Sequence, residues 1–485
     1  MTTTWQLRAA DPDFAAPSAR VNARSVDGVM YLSLALLLLS TLPAGPPSDV
    51  IKLLWLASVA LLTAVNAGAA FGVYLASVAL YAVLHFSGWG TVFERPDNYA
   101  MLIVTGGLTV RTLARGPRTP VWNRTTLVIA AFMGYGLVQG LVLGIMDRTT
   151  FAWYMRMFGL PLVMFVLLSQ YGFDLVELRA LMRALFVVGA YTALVSIVER
   201  LGWYDHIIPL WIGDPKLNWF MVSNGRSGGL LMQPEWNGLA MSLIYCLAIL
   251  SGRLLDPGNR RVALLVGALC LIGIFFTYTR AAWIATTMAS LVLLLRPSAS
   301  PAATQVKRLA VAAAVLVFGV GLALARGSTA QSRIGDSNEV YFRLNLWEAG
   351  LHMAAERPLI GSGFATFSEN VADYQYDMTI GPNTDIRETP VHNTLLAVQV
   401  ELGAVGLLLY VGVLLGVFRR ARESVVRVWG REGMIWVAVF AAAYFFQAQF
   451  ANAHEPTTNQ IFYGVMGILT GLVFRARADR PALPG

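Results

Sequence analysis

The chain has 485 residues, 56% of them hydrophobic and only 13% charged, with mean hydropathy +0.59 and formal net charge +8. Soluble chains carry about 25% charged residues, so an ordinary soluble domain is excluded. The basic balance does not point to nucleic acid, because the cations sit in short loops between apolar runs, which is how membrane topology is encoded.

The first 27 residues are polar and include Arg8, Arg20 and Arg24. A cleaved secretory signal is shorter and ends in a small-residue site, so residues 1–27 are expected to form a cytoplasmic tail. Apolar runs follow near 28–45, 50–66, 69–87, 99–114, 126–146, 151–171 and 179–200, then 236–252, 261–279, 281–296 and 307–325, and finally 393–418, 434–451 and 459–474. Each is close to the roughly 17–25 residues that a helix needs to cross a bilayer. The stretch 50–87 is open to a second reading, as one hairpin or a re-entrant pair. The fold class expected is all-α, a polytopic transmembrane helical bundle of about 12–14 spans with both termini cytoplasmic and a helical periplasmic loop. Cys246 and Cys270 each lie inside an apolar run and read as small buried hydrophobes.

Counting from a cytoplasmic N-terminus, the predicted inner loops hold Arg111, Arg115, Arg118 and Arg124, then Arg179 and Arg183, then Arg253, Arg260 and Arg261. Arg296, Lys307 and Arg308 follow, then Arg419, Arg420, Arg422, Arg427 and Arg431, and a tail with Arg475, Arg477 and Arg480. The opposite short loops hold mainly Lys52, Arg95 and Arg148. This asymmetry is the positive-inside pattern. It divides the chain into a tail (1–27), membrane helices (28–200), a periplasmic loop (201–235), membrane helices (236–326), a large periplasmic loop (327–391), membrane helices (392–474) and a tail (475–485). Within the large loop, Leu344, Trp347, Leu351 and Ala354 or Ala355 recur at helical steps, and Pro358 ends the pattern, so an amphipathic helix is expected over 341–356.

No P-loop, no dinucleotide fingerprint and no metal-type Cys/His spacing is present, and the Asp11-Pro12-Asp13 pair lies in the tail. Three groups stand out by location at the outer boundary: Arg280 between two apolar runs, Arg343 in the loop helix, and His392 where the large loop meets the next run. Ionisable groups at membrane depth are costly and usually face a cavity or a partner. A sugar transferred on the outer face must arrive with its leaving group attached, and a lipid pyrophosphate meets that need. Paired arginines can bind a diphosphate through planar forks and stabilise charge on the departing oxygen without a metal. A neutral histidine can deprotonate an acceptor hydroxyl.

His392-Asn393, nine residues, then Gly403-Ala404-Val405-Gly406 match the H-[NSQ]-x9-G-x-x-G signature of the O-antigen ligase and O-antigen polymerase superfamily. Arg343-x-x-x-Trp347 and Pro358-Leu359-Ile360-Gly361-Ser362-Gly363-x-x-x-Phe367 resemble that family's large periplasmic loop, and Thr279-Arg280-Ala281-Ala282-Trp283 resembles its Ser-Arg-Gly/Ala element. The resemblance spans roughly 180–475 and departs from the pattern in Thr279 for Ser and in about fourteen runs rather than the ligases' usual twelve.

The resemblance implies a helical membrane glycosyltransferase of the bacterial inner membrane with its active site facing the periplasm. Its donor would be a glycan on polyprenyl (undecaprenyl) pyrophosphate, and transfer would be metal-independent and inverting, with no cofactor. By position, Arg280 and Arg343 would hold the pyrophosphate and His392 would activate the acceptor. A ligase passes a finished glycan to a lipid-A-core sugar in lipopolysaccharide assembly, whereas a polymerase passes a chain to another lipid-linked unit in O-antigen or exopolysaccharide synthesis. A protein O-oligosaccharyltransferase is a further variant, and a solute (bicarbonate-like) transporter is the reading from another class. The partners expected are the lipid-linked donor, a glycan or lipid-A-core acceptor and membrane lipid, with no nucleic acid.

Each site residue has a plainer alternative. Arg280 can snorkel at a helix end, Arg343 can pair with Glu339 or Glu348 on its own helix, and His392 can open a helix that Asn393 caps. Asn393 is otherwise a substrate-binding candidate beside His392. Gly403 and Gly406 can serve close packing alone. Four further residues are candidate substrate contacts: Arg226 in a flexible outer segment, Arg156 about one turn inside a run, and His454 with Glu455 between the last two runs. The alternative for Arg156 is snorkelling or a pair with Asp147. Trp203, Tyr204, Trp211 and Trp219 read as an interfacial aromatic belt that can also stack on sugar.

Overall fold

The computed structural model describes residues 23–41, 46–86, 96–115, 122–203, 225–254, 260–295, 337–377, 385–387, 389–449 and 456–478. Among these residues every regular element is a helix. The long helices are α1 (Ala23–Leu39), α2 (Pro46–Val65), α3 (Ala67–Phe86), α4 (Pro96–Arg115), α5 (Arg124–Val142), α6 (Arg148–Tyr171) and α7 (Leu175–Leu201). They continue as α8 (Pro234–Leu254), α9 (Arg260–Phe276), α10 (Arg280–Leu295), α11 (Ser337–Glu356), α12 (Thr394–Trp429), α13 (Arg431–Ala448) and α14 (Pro456–Ala478). All but α11 coincide with predicted apolar runs; the run at 307–325 lies outside the described residues.

Arg124–Val142, Arg148–Tyr171, Val176–Leu201 and Thr394–Arg427 are each long and apolar enough by themselves to cross a membrane. Large apolar side chains such as Val142 (79% exposed) and Leu408 (73%) point outward from the bundle. In water this would be an aggregating surface; in lipid it is the ordinary face of a membrane helix. The chain is therefore a helical polytopic membrane protein.

Over 50–87 the structure gives two helices, α2 and α3, that meet at Asn66. Asn66 accepts the backbone N–H of Ala69 at 2.9 Å and so caps α3. Helix α6 carries a π-helical turn at Met155–Gly159 that contains Arg156. Such single turns recur at functional sites.

The predicted loop helix is present as α11, but its buried face is rotated from the expected one. Leu346, Ala349, Gly350 and Met353 are buried, whereas Leu351 is 62% exposed. The reason is a tight seat on α12: a Cβ at Gly350 would lie 3.1 Å from Leu396 and Val391. Leu346, Ala349 and Met353 share a small core with Phe367, Val371, Ile386, Val391, Ala397 and Val400. Tyr374 closes its edge by donating to Glu356 Oε2 at 2.5 Å, and partial burial followed by that carboxylate pushes its phenol up to about 12.

Helix α12 is broken at Gly403, whose φ of +67° and ψ of −174° are not helical. The break frees backbone groups that lipid cannot satisfy. The 358–363 loop supplies the partners: Ser362 N–H donates to Val400 O (2.9 Å) and Gly363 N–H to Glu401 O (2.8 Å), while Ala404 and Val405 donate to Pro358 O (2.8 Å) and Leu359 O (3.2 Å). From α5, Tyr135 Oη donates to Leu402 O at 2.9 Å and Gln139 Nε2 to Glu401 O at 2.7 Å. The contact needs two glycines. A Cβ at Gly403 would sit 2.3 Å from Leu359 O, and one at Gly361 would sit 2.5 Å from Glu401 O. Packing between helices was the expectation for Gly403; the finding is a backbone ladder between a loop and a helix kink.

Candidate functional site

The site is built where α8, α10 and α12 begin. Glu235, in the first turn of α8, is its centre. Arg343 Nη2 donates to Glu235 Oε1 at 2.7 Å, and His392 Nδ1 lies 3.3 Å from Glu235 Oε2. The histidine contact is at ion-pair distance without hydrogen-bond alignment. All three side chains are only 16–20% exposed. In such surroundings a carboxylate needs compensating charge, and Arg226 also acts electrostatically on Glu235.

Each member is held by its own local structure. His392 has φ +47°, in the left-handed region, and directly precedes the α12 N-cap. Non-glycine residues held there cluster at functional sites. Asn393 Oδ1 accepts Leu396 N–H at 3.0 Å, so this candidate substrate contact serves as the cap of α12. Arg343 is fixed by the seat of α11 on α12. It pairs with Glu235, a residue 108 positions away on another helix.

Arg226 is 5% exposed. Its Nε donates to Thr277 O at 3.1 Å and its Nη2 to Thr279 Oγ1 at 3.2 Å. It thus braces the 277–279 turn that delivers Arg280 as the first residue of α10. The segment carrying Arg226 is pinned in turn by Glu199, which accepts from Ser227 Oγ and, at 2.9 Å, from Gly229 N–H. Thr279 supplies this bond with its hydroxyl, the group that a serine would also offer.

Arg156 is held by an acid of another helix. Its Nη2 meets Asp97 Oδ2 at 3.1 Å, with both side chains under 10% exposed. The alternative partner, Asp147, instead caps α6 by accepting Thr150 N–H at 2.6 Å. His454 and Glu455 lie outside the described residues, as do Tyr204, Trp211 and Trp219; Trp203 is 59% exposed.

The residue that sequence reasoning missed is Glu235. The signal was available as an acid in Gln233-Pro234-Glu235-Trp236-Asn237, at the start of an apolar run with no cation beside it in sequence. Such an acid needs a partner from elsewhere. Among the described residues no group of three His, Cys, Asp or Glu side chains is placed to hold a metal ion.

The fold and this cluster define a helical polytopic membrane protein with a cationic, imidazole-containing site at the end of its bundle where α8, α10 and α12 begin. Residues 265–411 match the family model described as O-antigen ligase. The matched segment contains Arg280, Arg343, His392 and the Gly361–Gly403 contact. It supports a ligase- or polymerase-type function in general, which implies a glycosyltransferase-like enzyme acting on glycan and lipid-linked substrates. No curated protein matches the chain.

Proposed function

We propose that the protein transfers a glycan from a polyprenyl-pyrophosphate donor to an acceptor hydroxyl on the periplasmic face of the bacterial inner membrane, as an O-antigen ligase does. The observation that carries this reading is the convergence of Arg343 and His392 on the two carboxylate oxygens of Glu235. Arg280 and Arg343 bind the diphosphate. The acceptor oxygen attacks the anomeric carbon, the bond from that carbon to the phosphate oxygen breaks, and the anomeric configuration inverts. The hydroxyl proton passes to His392 through Nε2, because Nδ1 faces Glu235. Charge building on the leaving diphosphate is met by the two guanidinium groups. Glu235 orients the imidazole and stabilises the imidazolium, the part a buried carboxylate plays in hydrolase triads. Arg226 and Glu199 keep Arg280 in place and do not touch the reacting atoms.

A polymerase would use the same residues with a different acceptor. The test is transfer by the purified protein from a polyprenyl-pyrophosphate glycan to lipid-A core or, separately, to a second lipid-linked repeat unit. Product with the core acceptor is the expected result. Product only with the lipid-linked unit makes the protein a polymerase, and product with neither removes the reading.

A further inference from the structure

At the other end of α12 from His392, a cavity of about 600 Å³ opens between α12 and the start of α5. Its floor is made by absent side chains. A Cβ at Gly412 would stand 3.1 Å from Val128, and one at Gly416 would stand 2.9 Å from Thr125. These glycines are one turn apart, so they leave a trough along the helix, flanked by Val128 and the 63% exposed Leu415.

The head of the trough is cationic. Arg124, Arg419 and Arg420 line it against a single acid, Glu423. Glu423 is engaged by Arg419 at 2.8 Å, whereas Arg420 Nη1 is buried with no hydrogen-bond partner among the described residues. Arg124 is the first residue of α5, where the helix dipole adds positive potential.

Depth matches this polarity. Beyond the break at Gly403, α12 runs on for 26 residues, Ala404–Trp429, about 39 Å at 1.5 Å per residue, which exceeds the roughly 30 Å of a bilayer's hydrocarbon core. Arg419 lies 16 positions after Gly403, or about 24 Å along this unbroken stretch, which carries it towards the headgroup level of the leaflet opposite His392. Trp122, 68% exposed beside the cavity, is the residue type that favours that level.

We propose that this trough binds one anionic phospholipid, its phosphate held by Arg124 and Arg420 and its acyl chain lying along Gly412 and Gly416. An apolar floor under a cationic head fits a tailed anion better than a free one. Basic pockets between membrane helices take such headgroups.

The test uses the full chain in a neutral detergent, titrated with phosphatidylglycerol, with phosphatidylcholine of the same chains, or with inorganic phosphate. Bound lipid is read by native mass spectrometry and stabilisation by thermal unfolding. Wild type should prefer phosphatidylglycerol. Each arginine removed should weaken that binding roughly fivefold, and Arg124→Gln with Arg420→Gln about thirtyfold. Gly412→Leu, which fills the trough, should lower retention of both lipids. Equal binding of the two lipids, equal stabilisation by inorganic phosphate alone, or unchanged phosphatidylglycerol binding in the double variant each overturns the proposal. The headgroup comparison on wild type needs no variant to fold.

Discussion

Replacing Gly403 by alanine should damage the protein far more than one methyl group suggests. Its φ of +67° with ψ of −174° lies in a region open essentially to glycine, so the backbone strain is about 1–3 kcal/mol. The added Cβ would also fall 2.3 Å from Leu359 O and 2.6 Å from Gly361 N. Both are backbone atoms that no rotamer change can move. Relief requires the 358–363 loop to retreat, which opens the bonds from Ala404 to Pro358 O and from Val405 to Leu359 O. A buried backbone group left unmade costs about 1–3 kcal/mol, so two lost bonds and the strain together amount to roughly 3–9 kcal/mol. That is a large part of the about 5–15 kcal/mol that holds a typical fold. Gly144→Ala is the matched control. It has φ +70° but nothing within 4 Å of its Cβ, so strain of about 1 kcal/mol is all it should feel. The assay is thermal unfolding of the detergent-solubilised variants, with hydrogen exchange read at 358–363 and 400–405. Gly403→Ala should unfold well below Gly144→Ala, with both segments losing protection. Equal stability of the two variants would refute the argument that the ladder between loop and kink depends on this glycine.

Three further outcomes follow from the packing. Arg156→Ala removes the guanidinium that the buried Asp97 meets at 3.1 Å and should cost about 3–5 kcal/mol; in a double-mutant cycle with Asp97→Asn, most of that loss should be recovered, and additive losses would show that the pair is not coupled. Glu235→Gln keeps the shape but removes the counter-charge of Arg343 and His392, so it should cost about 2–3 kcal/mol in thermal unfolding and depress glycan transfer; unchanged transfer would show that this carboxylate is not needed at the site. Phe364→Ala removes a ring 2% exposed that packs edge-on against Tyr154 and Phe158, with centroids 5.2 and 5.9 Å away; a loss of about 3–5 kcal/mol is expected, and a loss below about 1 kcal/mol would mean that the loop is not anchored there.

Much of this architecture is legible in the sequence because lipid imposes a severe rule. A helix must be long and apolar to cross a bilayer, so runs such as 126–146 and 179–200 reappear as α5 and α7 almost unchanged. Arg343 and His392, which meet at Glu235, were legible as well, since they are polar groups at predicted boundary positions. Their partners were not. The pairs Glu235–Arg343 and Asp97–Arg156 join residues 108 and 59 positions apart, and periodicity carries no information about contacts at that range. The buried face of α11 was misjudged for a related reason: Gly350 and Ala349 count little in a hydrophobic pattern, yet their small size is what admits α12. The same holds at Gly403, where spacing reads as helix packing and only the chain's path reveals a positive φ.

The most direct measurement of the central claim is single-turnover glycan transfer from a purified polyprenyl-pyrophosphate donor by wild type, Arg280→Lys, Arg343→Lys and His392→Ala, each first shown to be folded and inserted. The two lysine variants keep the charge but lose the planar fork that grips a diphosphate, and the alanine variant loses the proton acceptor, which contributes about 10²–10⁴-fold in such reactions. The account predicts that all three fall by at least about a hundredfold. Transfer at the wild-type rate by His392→Ala, or by both lysine variants, would contradict it.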